Sequence, residues 1–158
     1  MNKDLKIAKK AIQTEIEGLK KLLSSFNNSS KFSKAVNLIS KAKGKVIVIG
    51  TGKSFIIGNK ISSTLSSLGT PSVAFDSSSL NHGSMGSIQK GSDVLLVFSV
   101  SGETSELNSI LRFSNRNNIP VIGVSCKSSS MLLRFSSIPI LLPKVIEAGS
   151  SLAPTSSQ

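Results

Sequence analysis

The sequence predicts an α/β domain, a three-layer αβα sandwich with a parallel five-stranded sheet, preceded by two N-terminal helices. Three observations lead to this prediction. Short apolar runs recur along the chain after residue 44, and turn residues bound them. Segments with helical spacing of apolar residues separate most of these runs. The run that begins at Asp93 is continuously apolar, which is typical of a strand buried on both faces of a parallel sheet.

The N-terminal part of the chain predicts two amphipathic helices. Apolar residues recur at three- and four-residue spacing from 3 to 24, and a polar break at 27–30 separates them from a second, shorter pattern. That pattern ends at Gly44, and glycine is typical of helix C-termini. We expect residues 1–43 to pack on the following domain or on a partner subunit, and residues 44–158 to form that domain.

The remainder of the chain alternates between strand and helix patterns. The predicted strands are 46–49, 72–75, 93–98, 119–124 and 138–142. Helical spacing predicts one helix between the first two strands, a second over 104–117, and at most a short one over 128–135. The polar, serine-rich stretch 76–86 is predicted to be a loop.

Polar segments follow several of these strands. Ligands of open parallel sheets bind beyond the carboxyl ends of the strands, which meet at one edge. We therefore expect four polar segments to converge at that edge, namely 50–54, 76–83, 99–105 and the tail that contains Glu147.

Composition and charge exclude several classes of function. The net charge of +11 arises mostly from residues 1–60, which hold 13 of the 19 Lys and Arg, so a solvated basic face is favoured over a nucleic-acid surface. No apolar run reaches the roughly 20 residues needed to span a bilayer, and the N-terminus lacks the apolar core of a secretory signal. The one cysteine, Cys126, is expected to be a buried structural thiol and suggests a reducing compartment. We place the protein in the cytoplasm, with no nucleic-acid or membrane partner.

The segment Gly50–Ser54 has the residue types of a nucleotide-binding loop without its spacing. A P-loop requires a glycine at the position of Ile47, and the dinucleotide fingerprint requires one at the position of Phe55. Nucleotide binding is therefore disfavoured. Gly52, Lys53 and Ser54 can still contact a phosphate at the strand end, where Lys53 would neutralise it or polarise a hydroxyl.

The loop after the predicted strand 93–98 is interpreted as a phosphate cradle. Its hydroxyls supply neutral donors, its glycine lets the backbone approach a ligand, and the helix start that follows leaves N–H groups unpaired. Glu103 is unfavourable beside a phosphate, so it either interacts with the helix N-terminus or faces the sugar as a base or hydroxyl orienter. The candidate phosphate-binding residues of this loop are Ser99, Ser101, Gly102, Thr104 and Ser105.

Two further titratable residues are candidates for catalysis. His82, the only histidine, follows a predicted strand in a polar segment next to Gly83, and its side chain suits proton transfer near neutral pH. Glu147 stands alone in an otherwise apolar tail, where an uncompensated charge favours a functional role.

These motifs, taken in order, resemble the sugar isomerase (SIS) domain of the arabinose 5-phosphate isomerase family. The resemblance covers roughly residues 44–158. It is carried by Gly50-x-Gly52-Lys53-Ser54, by Asn81-His82-Gly83, by Ser99-x-Ser101-Gly102-Glu103-Thr104-Ser105-Glu106, and by Glu147-Ala148 with Leu152-Ala153-Pro154-Thr155-Ser156-Ser157.

The resemblance implies a flavodoxin/Rossmann-like SIS fold and the interconversion of D-arabinose 5-phosphate and D-ribulose 5-phosphate for synthesis of the octulosonate of lipopolysaccharide. It implies a catalytic lysine at Lys53, essential glutamates at Glu103 and Glu147, and a substrate-contacting histidine at His82. Thr155 and Ser156, in the last of these motifs, are further candidates for contact with the phosphate. An enediol mechanism needs a base and a group that stabilises the oxyanion; a carboxylate or His82 could be the base, and Lys53 could serve the oxyanion.

The departures from the family pattern set the remaining expectations. A family position that can be a metal-contacting histidine is Asp76 here, so no metal and no cofactor is expected. Family members continue into a further helix, a catalytic histidine and often CBS domains, which implies a truncated chain or a stand-alone domain. The expected partners are a phosphorylated sugar and a second copy, in a homodimer or homotetramer. The alternatives are a non-catalytic sugar-phosphate sensor and a hexulose-phosphate isomerase of the same fold.

Overall fold

Five short strands form one parallel sheet in the computed structural model, which describes residues 2–26 and 30–149. The strands are β1 (Val46–Gly50), β2 (Ser72–Asp76), β3 (Val94–Phe98), β4 (Val121–Ser125) and β5 (Ile138–Leu141). Every strand is four or five residues long. The predicted number of strands and their parallel direction are confirmed.

The strand order is β2-β1-β3-β4-β5. The chain therefore runs outward from β1 to β2, returns across β1 to β3, and continues outward in the other direction. Because parallel crossovers are right-handed, this reversal puts the connecting helices of the two halves on opposite faces of the sheet. It also opens a crevice between the carboxyl ends of β1 and β3, which is where doubly wound sheets bind ligands.

Six helices accompany the sheet in the described residues. They are α1 (Lys3–Ser25), α2 (Ser30–Ser40), α3 (Lys53–Ser67), α4 (Ser77–Asn81), α5 (Leu107–Arg116) and α6 (Met131–Phe135), with a 3-10 turn at Ser84–Ser87. The α/β architecture predicted from the sequence is thus confirmed.

The core lies between the central strands and the helices that cover them. All five residues of β1 and all five of β4 are buried, because helices shield both faces of these strands. Ile47 and Leu95, which face each other in register across β1 and β3, have no exposed surface. From α5, Ile110 and Leu111 pack into the same cluster. This burial supplies the main stabilisation and fixes where the strand ends lie.

The stretch 76–86 is where the sequence prediction was wrong, because it was predicted to be a loop. The structure has helix α4 and the 3-10 turn there. The Asp76 side chain accepts a hydrogen bond from the N–H of Ser78 and caps the helix, and Leu80 is 1% exposed and anchors it in the core. In a serine-rich sequence, neither the Asp76 cap nor the single apolar residue Leu80 is enough to predict a helix.

Two smaller differences concern the helix predicted over 104–117 and the cysteine. Helix α5 begins at Leu107 and not near Thr104. A turn precedes it, in which the carbonyl of Thr104 accepts from the N–H of Leu107 and the carbonyl of Ser105 accepts from the N–H of Asn108. Cys126 is half-buried where a buried thiol was expected, since it follows the last residue of β4.

The chain divides into two units, and each is described by itself. The larger unit, 30–141, contains the whole sheet and helices α2 to α6. The smaller unit contains α1 and the described part of the segment after β5, and in it the Lys21 ammonium donates to the carbonyl of Lys144 at 2.6 Å. No residue of α1 is buried. None of the helices in the described ranges has the length and apolar character that a bilayer crossing requires.

Candidate functional site

The loop after β1 is shaped by two glycines. A Cβ on Gly50 would lie 2.6 Å from the carbonyl carbon of Ser54, so only glycine lets α3 start this close to the strand. Gly52 has φ +56° and caps α3, a conformation that side chains disfavour. Lys53 is the first residue of α3 and is exposed at the sheet edge, and Ser54 is half-buried behind it. The lysine is therefore presented beside the crevice between β1 and β3.

The end of β2 holds the β1 loop in place. The hydroxyls of Thr51 and Ser77 lie 2.6 Å apart and form a hydrogen bond. The Ser78 hydroxyl, which donates to Asp76, lowers the pKa of that carboxyl; burial opposes this, and the N–H groups of Ser78 and Gly52 add to the lowering. Asp76 is thus an ionised acceptor that joins the β1 loop to α4.

Helix α4 brings His82 toward the loop after β3. His82 follows the helix as its C-cap and is exposed. The preceding residue, Asn81, donates from its side-chain amide to the carbonyl of Glu106 at 3.1 Å and also accepts from the Ser109 hydroxyl. The segment that carries the histidine is therefore fastened to the start of α5.

The loop after β3, Ser99–Ser105, is organised by its own hydroxyls. The Ser99 hydroxyl accepts from the N–H of Gly102 at 3.0 Å and hydrogen-bonds to the Thr104 hydroxyl at 3.0 Å. The Ser101 hydroxyl accepts from the N–H of Glu103 at 3.3 Å. Ser99 is 7% exposed and Thr104 is half-buried, whereas Ser101 and Ser105 are exposed. Ser99 thus shapes the loop from inside, and the exposed hydroxyls line its outer side.

Gly102 sits against the segment that follows β4. Its φ is +64°, and a Cβ there would lie 2.5 Å from the Ser130 hydroxyl and 2.8 Å from the Ser125 hydroxyl. Its carbonyl accepts from the N–H of Leu132 at 3.0 Å. The Ser125 hydroxyl in turn donates to the carbonyl of Val100 at 3.1 Å. Both the backbone conformation and the close approach require glycine at this position.

Glu103 forms an ion pair that the sequence did not reveal. The Lys127 ammonium lies 3.0 Å from the Glu103 Oε1, and both side chains are partly exposed. The hydrogen bond from Lys127 holds the pKa of Glu103 below its usual value; burial opposes this, and the Lys127 charge, the N–H of Met131 and the charge of Arg134 add to the lowering. Glu103 is therefore held ionised on the side of the loop that faces β4.

The structure brings most of the predicted site residues to one edge of the larger unit. The segments that hold Lys53, His82 and Ser99–Ser105 all follow strand ends there and are joined by hydrogen bonds. Glu147 is half-buried in the other unit, in the segment after β5, so its relation to this edge stays a prediction. The predicted phosphate contacts Thr155 and Ser156 lie outside the described residues.

Sequence reasoning missed the residues that connect these loops. Asn81, Ser77 and Lys127 each link two segments that are far apart in the chain. A signal for Lys127 was available, because the fourth predicted strand also ends at this edge. The segment after that strand is polar as well, so the rule for strand ends also applies to it.

The site combines hydroxyl donors, a lysine and an ionised carboxylate. Exposed hydroxyls and an ammonium suit a phosphate ester, and carboxylate and imidazole side chains are both chemically suited to proton transfer on an attached sugar. Within 2–26 and 30–149, no group of three or more His, Cys, Asp or Glu residues is arranged to hold a metal ion.

Comparisons with known proteins identify the family of the chain. The family model of the SIS domain matches residues 38–158. An arabinose 5-phosphate isomerase of Francisella tularensis, KdsD, is 36% identical over 161 residues, covering 99% of this chain and 48% of that protein. The KdsD of Pseudomonas aeruginosa is 36% identical over 151 residues, covering 95% of this chain and 45% of that protein. The chain spans about half the length of the curated relatives it matches.

Solved structures resemble the whole fold. An Escherichia coli protein in complex with arabinose 5-phosphate superposes with a TM-score of 0.89 at 28% identity, covering 99% of this chain and 84% of that chain. A putative sugar-phosphate isomerase of Listeria monocytogenes superposes with a TM-score of 0.89 at 25% identity, covering 99% and 83% of the two chains. Both matches extend over nearly the entire chain.

Proposed function

The chain belongs to the SIS domain family, and from that premise we propose that its sheet edge binds and isomerises a phosphorylated sugar. The proposed reaction interconverts D-arabinose 5-phosphate and D-ribulose 5-phosphate through an enediol. Arabinose 5-phosphate isomerases at 36% identity and a neighbour solved with arabinose 5-phosphate support this choice of substrate. The observation that carries the proposal is the hydroxyl-lined loop Ser99–Ser105, which also contains the ionised Glu103.

The phosphate end of the substrate is proposed to lie on that loop. The exposed hydroxyls of Ser101 and Ser105 can donate to phosphate oxygens, and Thr104 can do so from a half-buried position. Lys53, across the β1–β3 crevice, supplies a positive charge for the phosphate or for a developing oxyanion. The internal hydrogen bonds of Ser99 keep the loop in one shape before the ligand arrives.

The sugar end is proposed to undergo proton transfer between neighbouring carbons. A base removes the proton from C2 of the aldose while the carbonyl oxygen at C1 gains a proton, which gives the enediol. Loss of the proton from the C2 hydroxyl and delivery of a proton to C1 then give the ketose. A carboxylate, Glu103 or Glu147, or the imidazole of His82 serves as the base, and Lys53 stabilises the oxyanion.

Further parts of the proposal concern the context of the reaction. We propose that the reaction takes place in the cytoplasm and contributes to the synthesis of the octulosonate of lipopolysaccharide. We also propose that the protein acts as a homodimer or homotetramer. Size-exclusion chromatography with light scattering measures the oligomer directly.

A panel of sugar phosphates tests the reaction. Arabinose 5-phosphate should be converted to ribulose 5-phosphate faster than any hexulose 6-phosphate, and Lys53→Met should abolish turnover. Lys60→Met, which removes one exposed positive charge later on the same helix, is the matched control and should turn over like the wild type. Faster conversion of a hexulose phosphate would overturn the substrate assignment, and tight binding without any turnover would favour the sensor.

A further inference from the structure

The loop Ser99–Ser105, the proposed phosphate loop, contains a carboxylate that would repel a bound phosphate. A phosphate ester near neutral pH carries close to two negative charges, and Glu103 places a third within the same loop. A carboxylate and a phosphate held in the same loop repel each other, so this loop would bind phosphate poorly if the carboxylate had no positive partner. Lys127 lies 3.0 Å from the Glu103 carboxylate and has the charge that removes this conflict.

The two backbones that carry this ion pair are tied together. The N–H of Cys126 donates to the carbonyl of Val100 at 3.0 Å, which joins the end of β4 to the start of the phosphate loop. The N–H of Lys127 donates to the Ser125 hydroxyl at 3.2 Å, and that hydroxyl donates to the same Val100 carbonyl. Lys127 is therefore held at a fixed place beside the loop, although its side chain is about half exposed.

We propose that Lys127 is a positioning residue that neutralises Glu103, so that the Ser99–Ser105 loop can accept a phosphate dianion. The inference rests on the proposed function, because it assigns a role within the same site. The same ion pair explains how one loop can bind the phosphate of the substrate and also present a carboxylate to its sugar. Lys127 holds the carboxylate toward β4, and the exposed hydroxyls remain available for the phosphate.

A direct contact between Lys127 and the phosphate is the competing explanation, and the two differ in a testable way. If Lys127 acts through Glu103, its removal matters only while residue 103 carries a charge. If Lys127 contacts the phosphate, its removal weakens binding whatever residue 103 is. A double-mutant cycle with Glu103→Gln separates the two cases.

The experiment measures binding of inorganic phosphate and of arabinose 5-phosphate by calorimetry at pH 7.5 and low salt. Lys127→Met should weaken phosphate binding about fivefold, because the Glu103 carboxylate then loses the ammonium that neutralises it beside the ligand. Lys127→Met combined with Glu103→Gln should bind within about twofold of the wild type, and Lys127→Arg should bind like the wild type. Lys90→Met removes one exposed charge before β3, at the opposite edge of the sheet, and should leave binding unchanged.

Each result decides between defined alternatives. Wild-type affinity in Lys127→Met, or equal weakness of the single and double variants, overturns the neutralising role. Thermal melting of every variant reports its folding, and Lys127→Gln provides a second substitution at the same position. A wild type that isomerises the sugar while Lys127→Met binds normally contradicts this inference alone. A wild type that binds neither ligand overturns the proposed function and this inference together.

Discussion

The side-chain amide of Asn81 donates a 3.1 Å hydrogen bond to the carbonyl of Glu106 and thereby joins the end of α4 to the start of α5. The Ser109 hydroxyl donates to the same side chain, so Asn81 is held from two sides. His82 is the next residue in the chain. The segment that carries His82 is therefore held to the start of α5 by a residue that itself has no catalytic chemistry.

If His82 takes part in the proton transfer, Asn81→Ala is expected to lower kcat about tenfold and to change KM less than threefold, because it loosens the segment that carries His82 without removing a proposed phosphate contact. Steady-state kinetics with arabinose 5-phosphate measures both constants. Asn117→Ala is the control, since it removes an amide that donates to the Phe113 carbonyl within the last turn of α5, at the other end of that helix. Equal losses in the two variants would show that the Asn81 contact has no special role.

Gly102→Ala is expected to destabilise the protein by about 3 kcal/mol and to abolish phosphate binding. Its φ of +64° strains any side chain, and the added Cβ would overlap the Ser130 side chain. Gly91→Ala separates the two causes, because Gly91 has φ +75° with nothing within 4 Å of the added Cβ. We expect the control to lose about 1 kcal/mol, measured by urea unfolding. Similar losses would mean that the approach of Gly102 to Ser130 contributes nothing.

Asp93 gives the stability of the fold a dependence on acid pH. Its buried carboxylate accepts from the N–H of Gln89 at 2.8 Å and the N–H of Lys45 at 2.9 Å, and pairs with the Lys45 ammonium at 2.9 Å. Burial raises the pKa of Asp93, but these donors outweigh it and hold the pKa below its usual value. A lowered folded-state pKa stabilises the protein above the unfolded pKa, and that contribution is lost as the pH falls through the folded pKa.

Asp93→Ala is therefore expected to cost about 3 kcal/mol at pH 7 and to flatten the loss of stability on acidification. Urea unfolding at a series of pH values between neutral and strongly acidic measures both effects. Glu15→Ala removes an exposed carboxylate of α1 and serves as the control. If both variants lose stability with the same pH profile, the buried carboxylate is not the source of the dependence.

The Glu103–Lys127 pair gives a prediction for the pH dependence of the proposed isomerase reaction, on the acid side of its profile. Lys127 and Arg134 are the charged side chains that lower the pKa of Glu103. If Glu103 must be ionised for turnover, kcat/KM stays high at acid pH until that lowered pKa is reached. Lys127→Gln raises the pKa of Glu103 and should move the acid limb to higher pH, whereas Lys90→Gln should leave it in place. An acid limb that does not respond to Lys127 would assign it to another group.

The fold could be predicted because each strand is a short, separate apolar run, and the order of runs and helices defines a parallel sheet. Helix α4 could not be, since it depends on one cap at Asp76 and one apolar residue, Leu80, within a serine-rich stretch. That the segments after β1, β2 and β3 lie at one edge could be predicted from the rule for strand ends. Which side chains pair across them could not, because contacts such as Asn81 with Glu106 depend on the three-dimensional placement of separate loops.

The most direct test of the account is to map bound arabinose 5-phosphate on the amide NMR spectrum of the protein. We predict the largest shift changes at Lys53 and in the loop Ser99–Ser105, with little change at Lys90 and Gly91 on the opposite edge of the sheet. Saturable changes centred away from the β1 and β3 strand ends, or no change at millimolar ligand, would contradict a sugar-phosphate site at this edge.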